Sequence, residues 1–295
     1  MSGTKHTIEE QLISLNIIDK SQVIEFYPKV RDRNDVKVLR CNHSGVIYLS
    51  STNHIEQSYY NDKKGTSYWS SNTREGALKD TYIDDTRRFN QFKELITNKK
   101  YLDVGSGLGG VLDYMKTLAK EVGAVEPQDE IRELLKSLGY QVHKSIDSVP
   151  AKSTEVITLF HVFEHLTDPL GSLKQLHTAL ADNGKIVIEV PHARDILIET
   201  FQLDSFKGFT FWSEHLILHT RKSLENFLAA AGFKNITVTG FQRYPLANHL
   251  YWLNKGKPGG HTQFIQLRNA GMENEYANLL NTIDQTDTLI AIAEK

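Results

Sequence analysis

The sequence predicts an α/β protein built on a doubly wound, seven-stranded, mostly parallel sheet, with an N-terminal cap and a helical insertion before the last strand. Three observations carry that expectation. From Lys100 onward, short apolar runs alternate with helical stripes of roughly 10 to 15 residues, the pattern of right-handed βαβ units. A glycine cluster, Gly105, Gly107, Gly109 and Gly110, directly follows the first apolar run, where a chain must turn sharply from strand into helix. The composition is that of an ordinary globular chain: 295 residues, 40% hydrophobic and 24% charged.

Before residue 98 the chain is polar and irregular. Residues 8–15 have helical spacing, and residues 36–39 with 45–49 form a short hairpin. Tyr59, Tyr60, Tyr68 and Trp69 sit among Asn, Ser, Lys and Gly and make an ordered aromatic loop. Residues 81–96 form a helix with Phe89, Phe92 and Ile96 on one face. Strands follow at 101–105, 122–125, 141–143, 156–162, 185–190, 235–241 and 288–293. Between them, Leu112, Met115, Leu118 and Ala119 mark one helix, and Ile131, Leu134, Leu135 and Leu138 another that ends at Gly139. Asp168-Pro169 supplies a cap and first-turn proline for a third, and Thr220 caps a fourth that Gly232 ends. The chain therefore divides into a cap, residues 1–97, and a sheet domain, residues 98–295, with insertions at about 193–220 and 245–287.

Lys and Arg number 34 against 36 Asp and Glu, a net charge of −2, so no nucleic-acid or other broad polyanion binder is expected. One cysteine, Cys41, excludes an internal disulfide, and with His43 and His54 it leaves a tetrahedral zinc set incomplete. No apolar run resembles a signal peptide or reaches the roughly 18 to 20 residues of a membrane span, so a cytoplasmic protein is expected.

Ligands of such sheets bind beyond the carboxyl ends of the strands. Gly105, Gly107 and Gly110 satisfy the spacing G-x-G-x-x-G, and the residues alone leave a dinucleotide and an adenosyl sulfonium both open. Asp103 favours the second, because a carboxylate suits the ammonium of an amino-acid-bearing cofactor and not a pyrophosphate. Glu126 can accept both hydroxyls of a ribose. With the segments 102–109, 125–127, 160–169 and 180–191, the chain resembles the class I S-adenosylmethionine-dependent methyltransferases from about Tyr101 to Lys295. The resemblance implies an antiparallel last strand and S-adenosyl-L-methionine as cofactor. It implies that Asp103, Gly105, Ser106 and Gly107 line the methionine end and that Glu126 and Pro127 hold the ribose. Ser145 and Ile146 then lie near the adenine, and Phe160 and His161 touch the cofactor.

His161, Glu164 and His165 read literally as the zinc-peptidase motif H-x-x-E-H. That motif needs a helix, whereas this one follows an apolar strand. Three readings stay open: contact with the cofactor and loop orientation, a general base at His165, or a divalent ion held by the three. No metal is predicted. Trp212, Glu214 and His215 form a second cluster, in which His215 is a candidate base or acceptor contact. Tyr68 and Trp69 are candidate acceptor-binding residues, since aromatic faces with polar neighbours suit sugar rings, and Trp212 in the second cluster and His192, directly after Pro191 at the end of the fifth strand, are candidates by position. Within its superfamily the chain looks most like methyltransferases of surface-polysaccharide or sugar-nucleotide pathways. The expected reaction is O-methylation of a sugar hydroxyl, with Glu164, His165 and His215 as the catalytic set and a small-molecule or glycan acceptor, free or nucleotide- or lipid-linked. The rivals are a quinone-precursor-like methyltransferase, an NAD-dependent oxidoreductase and a non-catalytic cofactor-fold protein.

Overall fold

The computed structural model describes residues 7–55, 59 and 73–295. Tyr60, Tyr68 and Trp69 lie outside them. The chain opens with helix α1 (Ile8–Ser14), where Thr7 and Glu10 close a reciprocal cap. Strands β1 (Val23–Tyr27), β2 (Val38–Cys41) and β3 (Ile47–Leu49) follow, then helix α2 (Arg74–Ile96). The sheet domain continues as β4 (Lys100–Val104), α3 (Gly110–Met115), β5 (Glu121–Val125), α4 (Asp129–Ser137), β6 (Gln141–His143), β7 (Thr154–Phe160), α5 (Pro169–Ala179) and β8 (Leu180–Pro191). The excursion after β8 holds α6 (Ile196–Glu199), α7 (Asp204–Thr210) and β9 (Ile217–Leu218). Helix α8 (Arg221–Ala230), β10 (Lys234–Phe241), α9 (Leu246–Lys255), α10 (Gly260–Gln263), α11 (Ala270–Thr282) and β11 (Thr288–Glu294) complete the chain.

The main sheet has seven strands in the order β10-β11-β8-β7-β4-β5-β6. β4 pairs in parallel with β5 and β7, β5 with β6, and β7 with β8. β11 is antiparallel to both neighbours, so the expected seven-stranded sheet and its reversed last strand are both present. Strands buried on two faces read as nearly unbroken apolar runs, and alternation sends neighbours to opposite sides. Leu102, Ile157, Ile186 and Ile188 therefore pack with Leu173 and Leu176 of α5 and Leu224, Phe227 and Leu228 of α8. On the other face Tyr101, Ala124, Val156 and Val187 meet Phe92 and Ile96 of α2, Leu112 and Met115 of α3 and Ile131 and Leu135 of α4. Each of the Val, Leu, Ile, Phe and Met side chains among them contributes about 1.5–3 kcal/mol on burial.

Four differences from the sequence expectation bear on the site. Helix α2 begins at Arg74, not residue 81, because Thr73 caps it through the Gly76 amide. β7 stops at Phe160, since His161 turns the chain at φ +55°. β8 extends back to Leu180. Most important, the N-terminal region is not merely irregular: β1, β2, β3 and β9 form a second, antiparallel sheet in that order. Ile47 pairs with Leu218 and Tyr48 with Ile217, so the excursion after β8 is stitched to the N-terminal strands. Among the described residues, no helix is long and apolar enough to cross a membrane.

Candidate active site

Two groups of side chains meet beyond the carboxyl ends of β4, β5 and β7. The first surrounds the glycine turn. Gly105 sits at φ +72°, and a Cβ there would lie 2.5 Å from Val162 Cγ2, so the turn and its close approach both require glycine. Gly107 donates its amide to Glu126 Oε2 at 3.1 Å, and Gln128 donates to Oε1 at 2.9 Å. These bonds fix the Glu126 carboxylate at the end of β5. Its burial pushes the acid up to about 7, against the pull of those two amides. Asp103, also buried, accepts from Thr158 Oγ1 at 2.5 Å, and burial likewise pushes it up to about 7 against that hydrogen bond.

Helix α2 lies across the turn. Arg74 donates to the Leu108 carbonyl at 2.9 Å and pairs with Asp113 at 2.7 Å. Between helix and turn is a cavity of about 170 Å³ whose lining includes Asp85, Arg88, Asp103, Ser106, Gly107 and Phe160. The buried Ser106 hydroxyl has no hydrogen-bond partner. Pro127 is half-buried behind Glu126; the carbonyls of both accept from Arg132. Ser145 is exposed after β6 and caps the turn Ile146–Ser148, with Ile146 half-buried against the core.

The second group follows β7. Phe160 stacks on Phe92 at 5.7 Å and carries the Arg88 guanidinium at 4.6 Å on its ring. His161 holds a left-handed backbone conformation that costs a non-glycine residue energy and recurs at functional sites. Its Nδ1 lies 3.3 Å from Glu164 Oε1, and its Nε2 lies 3.3 Å from Glu189 Oε1 without hydrogen-bond alignment. Burial would lower this histidine, yet Glu164 and Glu189 outweigh it and raise it. Glu164 is fully buried; burial opposes its ionisation, but His165 and His161 hold it down to about 2. His165 Nδ1 donates to the Glu214 carbonyl at 2.7 Å and His215 Nδ1 to the Thr210 carbonyl at 3.2 Å. The two rings are 5.2 Å apart. Burial, then the neighbouring His165, pushes His215 down to about 3, so it stays neutral at pH 7.

The structure thus brings Glu164, His165 and His215 together although 49 residues separate the two bonded segments at His165 and Glu214. Residues 163–165 form a single 3-10 turn, not the α-helix that peptidase ligation by H-x-x-E-H would need. Trp212 stands beside them, 6.1 Å from the His165 ring and 5.4 Å from that of His215, with Arg31 over its own ring at 4.4 Å. N-terminal residues complete this wall: Tyr59 donates to Glu214 at 3.0 Å, His54 contacts the Ser213 carbonyl at 2.7 Å, and Asp32 accepts from Ser213. His192 does not join it. It is 1% exposed, tied to the Thr286 carbonyl at 2.9 Å, and burial pushes it down to about 4. Expected to face an acceptor, it lies instead beneath the start of β11, apart from the Trp212 wall. Cys41 is buried on the small sheet.

Sequence reasoning missed Asp85, Arg88 and Glu189. Glu189 is fully buried in β8 and accepts from Arg88 at 2.7 Å and Arg87 at 2.8 Å; burial opposes its ionisation, but Arg88 outweighs it and holds it well below the usual range. The signal was available: one charge inside an apolar strand, and the paired Asp84-Asp85 and Arg87-Arg88 one helical turn apart.

A family model described as a methyltransferase domain matches residues 75–238, more than half the chain. No curated protein matches the chain in sequence. Among solved structures, a chain of the complex between a Haloferax volcanii methyltransferase activator and a methyltransferase superposes with a TM-score of 0.51. It is 11% identical, with 74% of this chain and 92% of that chain covered. A SAM-dependent methyltransferase from Archaeoglobus fulgidus is 20% identical, with a TM-score of 0.49 over 76% of this chain and 95% of that one.

Proposed function

The chain belongs to the methyltransferase domain family, uses S-adenosyl-L-methionine as methyl donor, and, we propose, methylates a hydroxyl oxygen of a sugar in polysaccharide or sugar-nucleotide biosynthesis. The observation that carries the choice of a hydroxyl is the convergence of Glu164, His165 and His215 beside Trp212. A neutral alcohol is a poor nucleophile, and a proton acceptor at its oxygen raises its reactivity.

The residues around the glycine turn suit the donor. A buried carboxylate at Asp103, a second at Glu126, the unpartnered Ser106 hydroxyl and a turn without Cβ atoms match an ammonium, a ribose and a close-lying backbone ligand. Bound there, S-adenosylmethionine supplies a methyl carbon on a sulfonium whose sulfur leaves with the bond's electron pair. Asp103 faces the ammonium, Glu126 the ribose hydroxyls, and Gly105, Ser106 and Gly107 the methionine backbone. Phe160 and His161 close the floor where β7 ends, and Ser145 and Ile146 border the adenine side. The acceptor lies against Trp212, at the wall to which Asp32, His54 and Tyr59 of the N-terminal region contribute. Its oxygen attacks in line, and His165 Nε2 takes the proton while Glu164 stabilises the imidazolium. His215, held neutral, serves as a hydrogen-bond acceptor and not as the base.

The test is mass spectrometry of sugar nucleotides and glycans incubated with enzyme and donor, looking for a product heavier by one methyl group. His165→Ala should lower turnover by about 100- to 10,000-fold and leave donor affinity unchanged. Turnover unaffected by that change would refute the assigned base, and methylation only of nitrogen or carbon acceptors would refute the hydroxyl.

A further inference from the structure

Residues 7–55 contain three arginines, and their charges are matched unequally. The Arg33 guanidinium is held by both oxygens of Asp35, at 3.0 and 2.7 Å. That of Arg40 pairs with Glu199. Among the described residues Arg31 pairs with no carboxylate. Its neighbour Asp32 is turned to Ser213, from whose amide and hydroxyl it accepts at 3.1 and 2.6 Å. The Arg31 guanidinium instead lies over two aromatic rings, 4.4 Å from the centre of Trp212 and 5.6 Å from that of Phe209. It donates to the Phe209 carbonyl at 3.3 Å, and the Arg31 amide donates to the Phe211 carbonyl at 2.8 Å. Backbone and side chain are therefore both fastened to the segment 209–212. Cation–π contact and one hydrogen bond fix the plane of a flexible side chain without neutralising it. A guanidinium carries five N–H donors in a planar fork, of which this exposed one spends a single donor on the protein.

We propose that Arg31 binds an oxyanion of the acceptor, phosphate or carboxylate, and so selects anionic acceptors. This rests on the reading that places the acceptor against Trp212, and it names the acceptor's chemical class. Trp212 touches the Arg31 guanidinium and also the two imidazoles, its ring centre lying 6.1 Å from that of His165 and 5.4 Å from that of His215. A molecule that lies across Trp212 with its hydroxyl at the histidines therefore brings its anionic group to Arg31. Phosphate and carboxylate both fit the planar fork of a guanidinium through two parallel hydrogen bonds. The stacked side chain is already oriented, so little freedom is lost when the anion arrives. Arg31 stands apart from the methyl transfer and holds acceptor and transition state alike, so its contribution belongs to KM and not to kcat. The net charge of −2 agrees with a single guanidinium that recognises one group of a small molecule, where a polyanion binder would need a basic surface.

Three acceptors test this with the full-length chain and S-adenosylmethionine: a nucleoside diphosphate sugar, the neutral methyl glycoside of the same sugar, and its uronate. Methylation of the first and not the second assigns the oxyanion to phosphate; methylation of the third and not the second assigns it to carboxylate. With the preferred acceptor, Arg31→Gln should raise KM by roughly 10- to 150-fold while kcat is kept, and Arg31→Lys should recover only part of that loss. Unchanged S-adenosylmethionine affinity, read by calorimetry, shows that both variants are folded. Without any acceptor, inorganic pyrophosphate should change the tryptophan fluorescence of the natural chain saturably and that of Arg31→Gln not at all. Equal methylation of the neutral glycoside overturns the proposal, as does a KM indifferent to Arg31→Gln. If none of the three sugars is methylated, the pyrophosphate titration decides: an effect lost with Arg31 supports the site, and no effect overturns it. Methylation of a nitrogen or carbon on an anionic acceptor, with the Arg31 dependence intact, would refute the hydroxyl and leave Arg31 in its role.

Discussion

Donor binding should strengthen steeply as pH rises through neutrality, and the two buried carboxylates determine by how much. Burial holds Asp103 and Glu126 at about 7 in the free protein, so both are mostly protonated at mildly acidic pH. An ammonium gains its full attraction only from an ionised Asp103, and ribose hydroxyls donate best to an ionised Glu126. For one group with a pKa near 7, the ionised fraction rises about tenfold between roughly pH 6 and pH 8. Where both must be ionised, the association constant should rise by up to about 100-fold over that range. The sign follows from linkage: folded-state values raised above those of free carboxylates favour protonation, and the ligand must displace those protons. Calorimetry in buffers of different ionisation enthalpy reads both the affinity and the protons released. Asp103→Asn and Glu126→Gln should each remove one proton from the release and halve the logarithmic slope. At the alkaline end each also loses a charged hydrogen bond, about 1.5–3 kcal/mol or roughly 10- to 150-fold in affinity. Affinity independent of pH in the natural chain, or a slope that survives either substitution, would refute the placement of the donor between these two strands.

Three further outcomes follow from the packing. Gly110→Ala puts a Cβ 2.1 Å from Asp85 Oδ2, so α2 must shift; thermal melting should show a loss of about 1–3 kcal/mol, largely recovered by adding Asp85→Ala. Arg88→Ala removes the nearer of two guanidiniums from a fully buried Glu189 and should cost about 3–5 kcal/mol by denaturant titration, more than Lys79→Ala on the same helix, whose partner Glu75 is exposed. Ile47→Pro places a residue without an amide hydrogen between β2 and β9, and hydrogen exchange should rise across residues 211–218 while the main sheet stays protected.

The main sheet was readable because its signals are local and agree with one another. Asp168 does cap α5 through the Gly171 amide, with Pro169 as its first residue, and Thr220 does cap α8 through that of Ser223. Gly139 and Gly232 follow their helices at positive φ, as capping glycines should. The small sheet was not readable, because nothing local marks it. β9 has two residues, and its partner β3 lies about 170 residues earlier, so only tertiary pairing defines the strand. The site divides the same way. Asp103 and Glu126 sit at strand ends, where topology alone predicts ligand contact. The meeting of Glu164 and His165 with His215, and of Arg88 with Glu189, depends on where an insertion and a helix fold back.

Those fold-back contacts join the two halves of the site through charge. Arg88 lines the cavity beneath α2 and donates to Glu189 at 2.7 Å. Glu189 lies 3.3 Å from His161, and His161 lies 3.3 Å from Glu164 in the acceptor-side cluster. Every member of this chain is at least three-quarters buried. Its charges are therefore weakly screened, and each member's ionisation depends on its neighbours. Arg88 and His161, which its neighbours push toward the charged form, alternate with Glu189 and Glu164 and favour ionisation of those two buried carboxylates. Helix α2, which supplies Arg88, lies, but for its first residue, within the segment matched by the methyltransferase family although the sequence pattern places it before the first sheet strand. Its place in the charge chain gives a physical reason why that helix works with the catalytic sheet.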